Sequence, residues 1–304
     1  MFHEQLASSS LDSRIVQALQ RDGRIGYQEL ARTLGASRAT VADHMNRLLT
    51  NGAVRVFAAY DPSFLGQEVI AHLSIRVNGA SLPVAKQIAR RPEAVLVTCI
   101  SGAWNLVAEV RVGNLRELDE LLSTLRCIPT IEAIDSVLYS GELSGVFISR
   151  YDGVSTVDEI DRHLISLLQE DGRASYTRLA DTVGLSIPAA RARIQRLLST
   201  GIIRIAAVEL RGGGGRLLSL GLGLTLVDDG GETLAQLRAR DWIEFATPCV
   251  GRYDAVATMV GHSPRELLAQ LDLLREMPGI RRLESWHHLE LIKEDYSRQA
   301  QVSV

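Results

Sequence analysis

The sequence repeats itself. Slid by 149 positions, residues 11–56 face residues 160–205 without a gap, and 17 of those 46 positions are identical. The identities include Asp22/Asp171, Gly23/Gly172, Gly35/Gly184, Ser37/Ser186, Arg47/Arg196 and Gly52/Gly201. The same displacement sets 101–122 against 250–271, and Pro129-Thr130-Ile131 against Pro278-Gly279-Ile280. One register held over about 130 residues marks a tandem duplication, so the fold to be found is that of half the chain, twice. Each half divides into a helical module (1–60 and 158–210) and a mixed module (67–140 and 217–292). A Gly- and Ser-rich junction lies over 141–157.

In the first helical module Leu11, Ile15, Ala18 and Leu19 form one helical stripe, and Asp22-Gly23 ends it. A short helix follows from about Tyr27 to Leu34, with Gly35 at the left-handed position after it. Ser37 caps a third helix that runs to about Thr50 and stops at Gly52. Two short helices joined by a Gly-containing turn form a helix-turn-helix pattern. Beyond Gly52, Val54, Val56 and Ala58 alternate with Arg55 and Phe57, which predicts a short wing or connecting strand.

The third helix bears on function. Val41, Met45, Leu48 and Leu49 share a core face, opposite Ala39, Thr40, Asp43, Asn46 and Arg47. In the second copy Ala190, Ile194, Leu197 and Leu198 face inward. There Pro188, Ala189, Ala192, Gln195 and Arg196 face out, flanked by Arg191 and Arg193. Small residues in mid-face let a helix approach base edges, and flanking arginines can hold phosphates. The plainer alternative is a three-helix bundle with a merely solvated face; two copies with the same Gly and Ser punctuation weigh against it. The candidate DNA contacts are Ser37, Arg38, Thr40, Asp43, His44, Asn46 and Arg47 in copy one. In copy two they are Ser186, Arg191, Arg193, Gln195 and Arg196. Asp43, central in the first face, can accept from a cytosine amino group or repel phosphate, whereas the second helix has three arginines and no acid. Unequal half-sites are expected.

In the mixed module, residues 69–77 alternate as Val69, Ala71, Leu73, Ile75 and Val77 against His72, Ser74 and Arg76, a half-buried strand. A helix over about 81–91, strands near 94–100 and 104–112, a helix at about 114–126 and a strand near 131–140 complete a βαββαβ order. That order is the ferredoxin-like arrangement, and the second copy repeats it. The fold class is therefore α+β: two winged helix-turn-helix modules alternating with two ferredoxin-like modules. Such a sheet covers one face with helices and leaves the other for a second sheet, here that of the other copy.

Composition enters as exclusion. A net charge of −3 rules out a uniformly basic nucleic-acid coat, so DNA contact must come from a local patch. No apolar run reaches the roughly 18 residues of a membrane helix. The first ten residues lack the basic region and apolar core of a signal peptide. Cys99, Cys127 and Cys249 are odd in number and have no metal spacing, which predicts reduced thiols and a cytoplasmic chain with no membrane partner. The glycine run 212–215 is not followed by Lys-Ser/Thr, so it is no phosphate loop. His287 and His288 would point to opposite faces of a strand and cannot both ligate one metal. Trp104, Trp242 and Trp286 are expected to bury area in sheets or interfaces. With no nucleophile elbow and no paired-carboxylate motif, no enzyme activity, metal or cofactor is expected.

A set of short motifs runs nearly the full length. They are Asp-Gly-Arg at 22–24 and 171–173, Leu-Ala…Gly-x-Ser at 30–37 and 179–186, and Arg-Leu-x-x-x-Gly at 47–52 and 196–201. To these are added Asp61-Pro62-x-x-Leu65-Gly66 in copy one only, then Gly251-Arg252-Tyr253-Asp254 and Pro-Gly-Ile at 278–280. In these motifs the chain resembles two fused copies of the Lrp/AsnC (feast/famine) transcriptional regulators. Each copy looks like the family's helix-turn-helix followed by its effector-binding module (RAM). The resemblance implies amino-acid-responsive regulation through dimers or larger discs, with effector bound around the Gly-x-Tyr-Asp loop. By position that loop corresponds to Gly102, Trp104 and Asn105 in copy one, and to Gly251, Tyr253 and Asp254 in copy two. Asn105 replaces the acid in copy one, which removes an ammonium partner there. In copy two the linker becomes Arg211-Gly-Gly-Gly-Gly-Arg216, which predicts a looser attachment of its DNA-binding module.

The expected function is a sequence-specific DNA-binding transcriptional regulator whose partners are double-stranded DNA and a small effector, an amino acid. One chain does the work of a homodimer, and chains are expected to associate further. The recognition helices would enter successive major grooves about 34 Å apart, with salt-sensitive affinity. The effector would bias the module interface and so the helix spacing. Two other readings stay open: a sensor with decayed heads, motivated by Asp43, and a ligand-free architectural DNA protein, motivated by Asn105.

Overall fold

The computed structural model describes residues 11–141, 151–209, 218–227 and 229–296. The first copy runs α1 (Leu11–Arg21), α2 (Tyr27–Leu34), α3 (Arg38–Thr50), β1 (Val54–Tyr60), β2 (Val69–Val77), α4 (Ser81–Ala89), β3 (Ala94–Ile100), β4 (Leu106–Val112), α5 (Leu115–Arg126) and β5 (Ile131–Tyr139). The second runs α6 (Glu159–Glu170), α7 (Tyr176–Val183), α8 (Ile187–Ser199), β6 (Ile203–Glu209), β7 (Leu218–Leu226), α9 (Gly231–Arg238), β8 (Ile243–Val250), β9 (Ala255–Gly261), α10 (Pro264–Arg275) and β10 (Ile280–Glu294). The glycine linker 212–215 and most of the junction after Gly141 lie outside the described residues. Two compact units cut across the repeat: one gathers both helical modules, the other both mixed modules.

In the helical unit, local signals do what the sequence predicts. Gly35 and Gly184 end α2 and α7 in the left-handed region, at φ 66° and 70°. The Ser37 and Ser186 hydroxyls accept from the N–H groups of Thr40 and Ala189, at 3.1 and 3.4 Å, and so cap α3 and α8. Val41, Met45 and Leu48, like Ala190, Ile194 and Leu197, are buried.

Of the two readings after Gly52, a wing or a connecting strand, the wing is corrected and the connecting strand holds. β1 forms no hairpin with its own module; it pairs antiparallel with β6, with Val56 opposite Ala207, Ala58 opposite Ile205 and Tyr60 opposite Ile203. Six of the seven β1 residues are buried. A strand apolar on both faces needs cover on both, which a solvent-facing wing lacks. The Asp-Gly-Arg turns brace this ribbon reciprocally. Gly23 N–H donates to Ile205 O at 3.0 Å, and Gly172 N–H to Val56 O at 2.9 Å. Arg24 donates to the carbonyls of Gly172 and Ala174, both at 2.9 Å, while Arg173 donates to those of Gly23 at 2.6 Å and Ile25 at 3.2 Å. Glycine is required at 172 because a Cβ would lie 2.8 Å from Phe57 N.

In the mixed unit each copy has the order βαββαβ. The sheets run β3-β4-β2-β5 and β8-β9-β7-β10, antiparallel throughout. The expectation that the two sheets merely face one another is revised, because they also join at their edges into a closed barrel. β10 spans 15 residues: its first half pairs with β7, from Ile280 opposite Leu226, and its second half with β3, from His288 opposite Ile100. β5 meets β8 at Leu138/Val250 and Tyr139/Cys249. Helices α4 and α5 cover Leu73, Ile75, Val97 and Ala108. Helices α9 and α10 cover Leu222, Leu224 and Ala257. A third cluster, of Ile100, Val107, Val137, Cys249, Tyr253, Val256 and Trp286, joins the two copies.

Candidate DNA-binding face and ligand cleft

On α3 the side chains of Arg38, Thr40, Asp43, Asn46 and Arg47 are exposed, and on α8 those of Arg191 and Gln195. The other cations proposed for DNA contact are engaged within the protein. Arg47 donates to both oxygens of Asp12 on α1, at 2.8 and 3.0 Å, and His44 Nδ1 lies 2.6 Å from the same carboxylate. On α8, Arg193 donates to Asp158 at 2.7 Å and to Asp161 at 2.9 Å, and Arg196 donates to Asp161. Asp161 is 1% exposed, so two of the three α8 arginines neutralise a buried acid at the start of α6. Arg191 stacks over Tyr176 at 5.7 Å. Arg38 makes no hydrogen bond or ion pair among the described residues. Sequence reasoning missed these acids because the helical stripe of α6 gives no sign that Asp161 turns toward α8.

The loop residues singled out by resemblance divide into two groups. Asn105 and Asp254 are staples: Asn105 Oδ1 accepts from Val77 N–H at 2.7 Å, and Asp254 Oδ2 from Leu226 N–H at 2.8 Å. Either side chain supplies that acceptor, so this backbone hydrogen bond is kept in both copies. Gly102, Trp104 and Tyr253 do line a cleft, of about 180 Å³, together with Ser74, Ser101, Glu284 and Trp286. Glu284 accepts from the Tyr253 hydroxyl at 2.7 Å and from Arg252 at 2.6 Å, and also pairs with Arg282. Burial, with the Glu284 hydrogen bond next, pushes the Tyr253 hydroxyl up from its ordinary pKa. The guanidinium groups of Arg76 and Arg252 lie 4.8 and 5.6 Å from the centre of the Trp104 ring. The indole N–H groups of Trp104 and Trp286 are buried without a hydrogen-bond partner. His72, against Trp286, is buried, which lowers its pKa to about 4. Glu284, Ser74 and Trp286 were not anticipated; Glu284 occupies the position of Asp135 in the repeat, and Arg252 is the cation whose partner pointed there.

The two loops differ in the space around their glycines. A Cβ at Gly102 would meet nothing within 4 Å, whereas one at Gly251 would lie 2.8 Å from Val137 Cγ1 and 3.2 Å from Ser136 O. The copy-one loop is open and the copy-two loop is closed onto β5. The strands beside them differ as well: Gly221 and Gly223 of β7 stand where β2 has His72 and Ser74, and the rings of Trp286 and Tyr253 fill the space a side chain would take.

Comparisons with known proteins agree with this architecture. The model of the AsnC-type helix-turn-helix domain matches residues 9–49 and 157–198. That of the Lrp/AsnC ligand binding domain matches 70–144. An uncharacterized HTH-type transcriptional regulator of Pyrococcus furiosus is 38% identical over 128 residues, which is 41% of this chain and 85% of that protein. The HTH-type transcriptional regulator FL11 of Pyrococcus horikoshii is 28% identical over 130 residues, 42% of this chain and 86% of that protein. Among solved structures, the siroheme decarboxylase NirDL aligns over 94% of this chain and 93% of its own at a TM-score of 0.60 and 15% identity, a likeness of fold alone. Both helical modules match one domain type, the first mixed module matches the other, and a relative is covered over most of its length; the chain belongs to the Lrp/AsnC family.

Proposed function

We propose that this chain is a sequence-specific DNA-binding transcriptional regulator in which one polypeptide carries the paired heads of a dimer. On this reading the chain is two helix-turn-helix modules alternating with two ferredoxin-like effector modules. It acts in the cytoplasm on double-stranded DNA and is not an enzyme. The observation that supports it most is the braced pair of heads. Two capped third helices with exposed outer faces share one β-ribbon and two reciprocal arginine clamps. Such a pair suits two half-sites at a set separation. Further association of chains belongs to the same reading; Leu115 on α5 and Leu268 on α10 are 60% and 55% exposed.

The cleft takes a small effector of amino-acid type, one per chain, at the open copy-one loop. Glu284 is its acidic group, and the Trp104 and Tyr253 rings supply its walls. Calorimetric titration of the full chain with an amino-acid panel reads this directly. One equivalent bound for at least one ligand is the expected result; two equivalents, or none for any ligand, would overturn the single-site reading. A DNase footprint upstream of the protein's own gene, at fixed moderate salt, tests the regulator itself. Two unequal protected half-sites about one helical turn apart are expected. Absence of protection below the non-specific range, roughly 10⁻⁶–10⁻⁴ M, would reject it.

A further inference from the structure

We infer that the two heads read different bases at the equivalent step: the α8 head reads thymine 5-methyl groups through Ile187, Pro188 and Ala192, and the α3 head reads guanine through Arg38. The inference rests on the DNA-binding reading and adds the chemistry each head recognises. Positions 38 and 187 are equivalent in the repeat, each being the first helical residue after the capping serine. In a helix-turn-helix the N-terminal residues of the second helix contact base edges.

At that place α8 is apolar. Ile187 is 46% exposed, and Pro188 and Ala192 are exposed beside it, while the buried side of the helix is supplied by Ala190, Ile194 and Leu197. Ile187 thus leaves close to half of its surface to solvent at the first turn of the helix. The cations that could offset this apolar start are engaged elsewhere: Arg193 and Arg196 on Asp161, and Arg191 on the Tyr176 ring. What is left facing outward is an apolar patch with Gln195 exposed on the same helix. In the major groove thymine alone presents a methyl group, and glutamine pairs with the N6/N7 edge of adenine. The surface matches A·T pairs read from their methyl side.

On α3 the chemistry is reversed. Arg38 is exposed and unengaged among the described residues, whereas His44 and Arg47 are held by Asp12. A free guanidinium fits the O6/N7 edge of guanine in a bidentate fashion. Between the copies Arg38, Ala39 and Asp43 stand where copy two has Ile187, Pro188 and Ala192, and that exchanges a guanine reader for a methyl reader.

The test uses the full chain and duplexes enriched by it from a randomised library. Every thymine in one half-site, then in the other, is replaced by uracil, which keeps the pairing and removes only the methyl. Affinity should fall about fourfold per contacted methyl in one half-site and stay unchanged in the other. Selection is then repeated with Ile187→Arg, an exchange that copy one already tolerates at the equivalent position. The preferred base at that step should change from thymine to guanine in the uracil-sensitive half-site only. Uracil tolerated in both half-sites, or an Ile187→Arg chain that enriches the wild-type sequence, overturns the inference. A wild-type chain that enriches no sequence rejects the DNA-binding reading itself, a different result from uracil tolerance.

Discussion

Replacing Asp161 with alanine should unfold the helical unit far more readily than replacing its counterpart Asp12. Asp161 is the third residue of α6 and 1% exposed, and its carboxylate has three jobs. Oδ1 accepts from Arg193 at 2.9 Å, and Oδ2 accepts from Arg196 and from the Asp158 N–H at 3.2 Å, closing a capping box. A hydrogen bond to a charged group contributes about 1.5–3 kcal/mol. The two arginine side chains are 31% and 40% exposed, so water recovers part of the loss, and about 1 kcal/mol each is a reasonable discount. The capping box adds about 1 kcal/mol. The sum is about 3 kcal/mol, and at about 4–8 °C per kcal/mol for a unit near 100 residues the midpoint should fall by roughly 12–24 °C. Asp12 and Arg47 are 36% and 56% exposed, a surface pair of about 0.2–1 kcal/mol, so Asp12→Ala should cost a few degrees at most. Calorimetry of the full chain with each variant, and a double-mutant cycle between Asp161 and Arg196, would measure both. An Asp161→Ala chain that melts within about 2 °C of wild type, or an Asp12→Ala chain that loses as much, would refute the claim that Arg196 serves the fold. The outcome also governs DNA work: a charge reversal at Arg196 must be assayed at a temperature where the unit is folded.

Other consequences follow from burial and close packing. His72 titrates near 4 when folded and near 6.5 when unfolded. The unfolded chain therefore binds the extra proton first, and stability of the mixed unit should drop by roughly 3 kcal/mol as pH falls from about 6.5 to about 4. Denaturant unfolding across that range checks this, and a His72→Asn chain with the same slope would exclude His72 as the cause. Gly102→Ala and Gly251→Ala both force a side chain into positive φ, 109° and 143°, at about 1–3 kcal/mol. Gly251→Ala must also displace Val137 and should be the more destabilised by about 1 kcal/mol or more; equal denaturant midpoints would contradict the closed copy-two loop. Cys127 is exposed while Cys99 and Cys249 are buried, and burial, with Asp254 nearby, pushes the Cys249 thiol up to about 12. A thiol reagent at pH 8 should therefore modify one cysteine quickly in the folded chain and all three in denaturant; fast reaction of two or more when folded would be inconsistent with the closed barrel.

Much of the architecture was legible because it is written in local chemistry. Gly35 and Gly184 need positive φ, Ser37 and Ser186 offer a capping oxygen, and Val69–Val77 alternates with period two, all within a few residues of chain. The 149-residue displacement then carried every such signal to the second copy. These features settle the helices, the strands and the helix-turn-helix pairs before any tertiary contact is considered. What the displacement could not carry is the set of partners each side chain meets. Arg47 and Arg196 are identical in the repeat, yet one answers an exposed Asp12 and the other a buried Asp161, set by how α1 and α6 pack. β1 looked like a wing because alternation within one strand says nothing of which strand will cover its second face. Asn105 and Asp254 looked unequal by charge, but their places beside the Val77 and Leu226 N–H groups make them equal as acceptors. Two differences between the copies, an open loop at Gly102 against a close-packed one at Gly251 and the Trp286 and Tyr253 rings settled over glycines of β7, have no sign in the repeat pattern. Each rests on contacts between residues tens of positions apart, and only the folded barrel brings them together. Backbone preferences act over a few residues and are read from sequence; charge pairing and ring packing depend on distance in space, and the tertiary structure alone decides them.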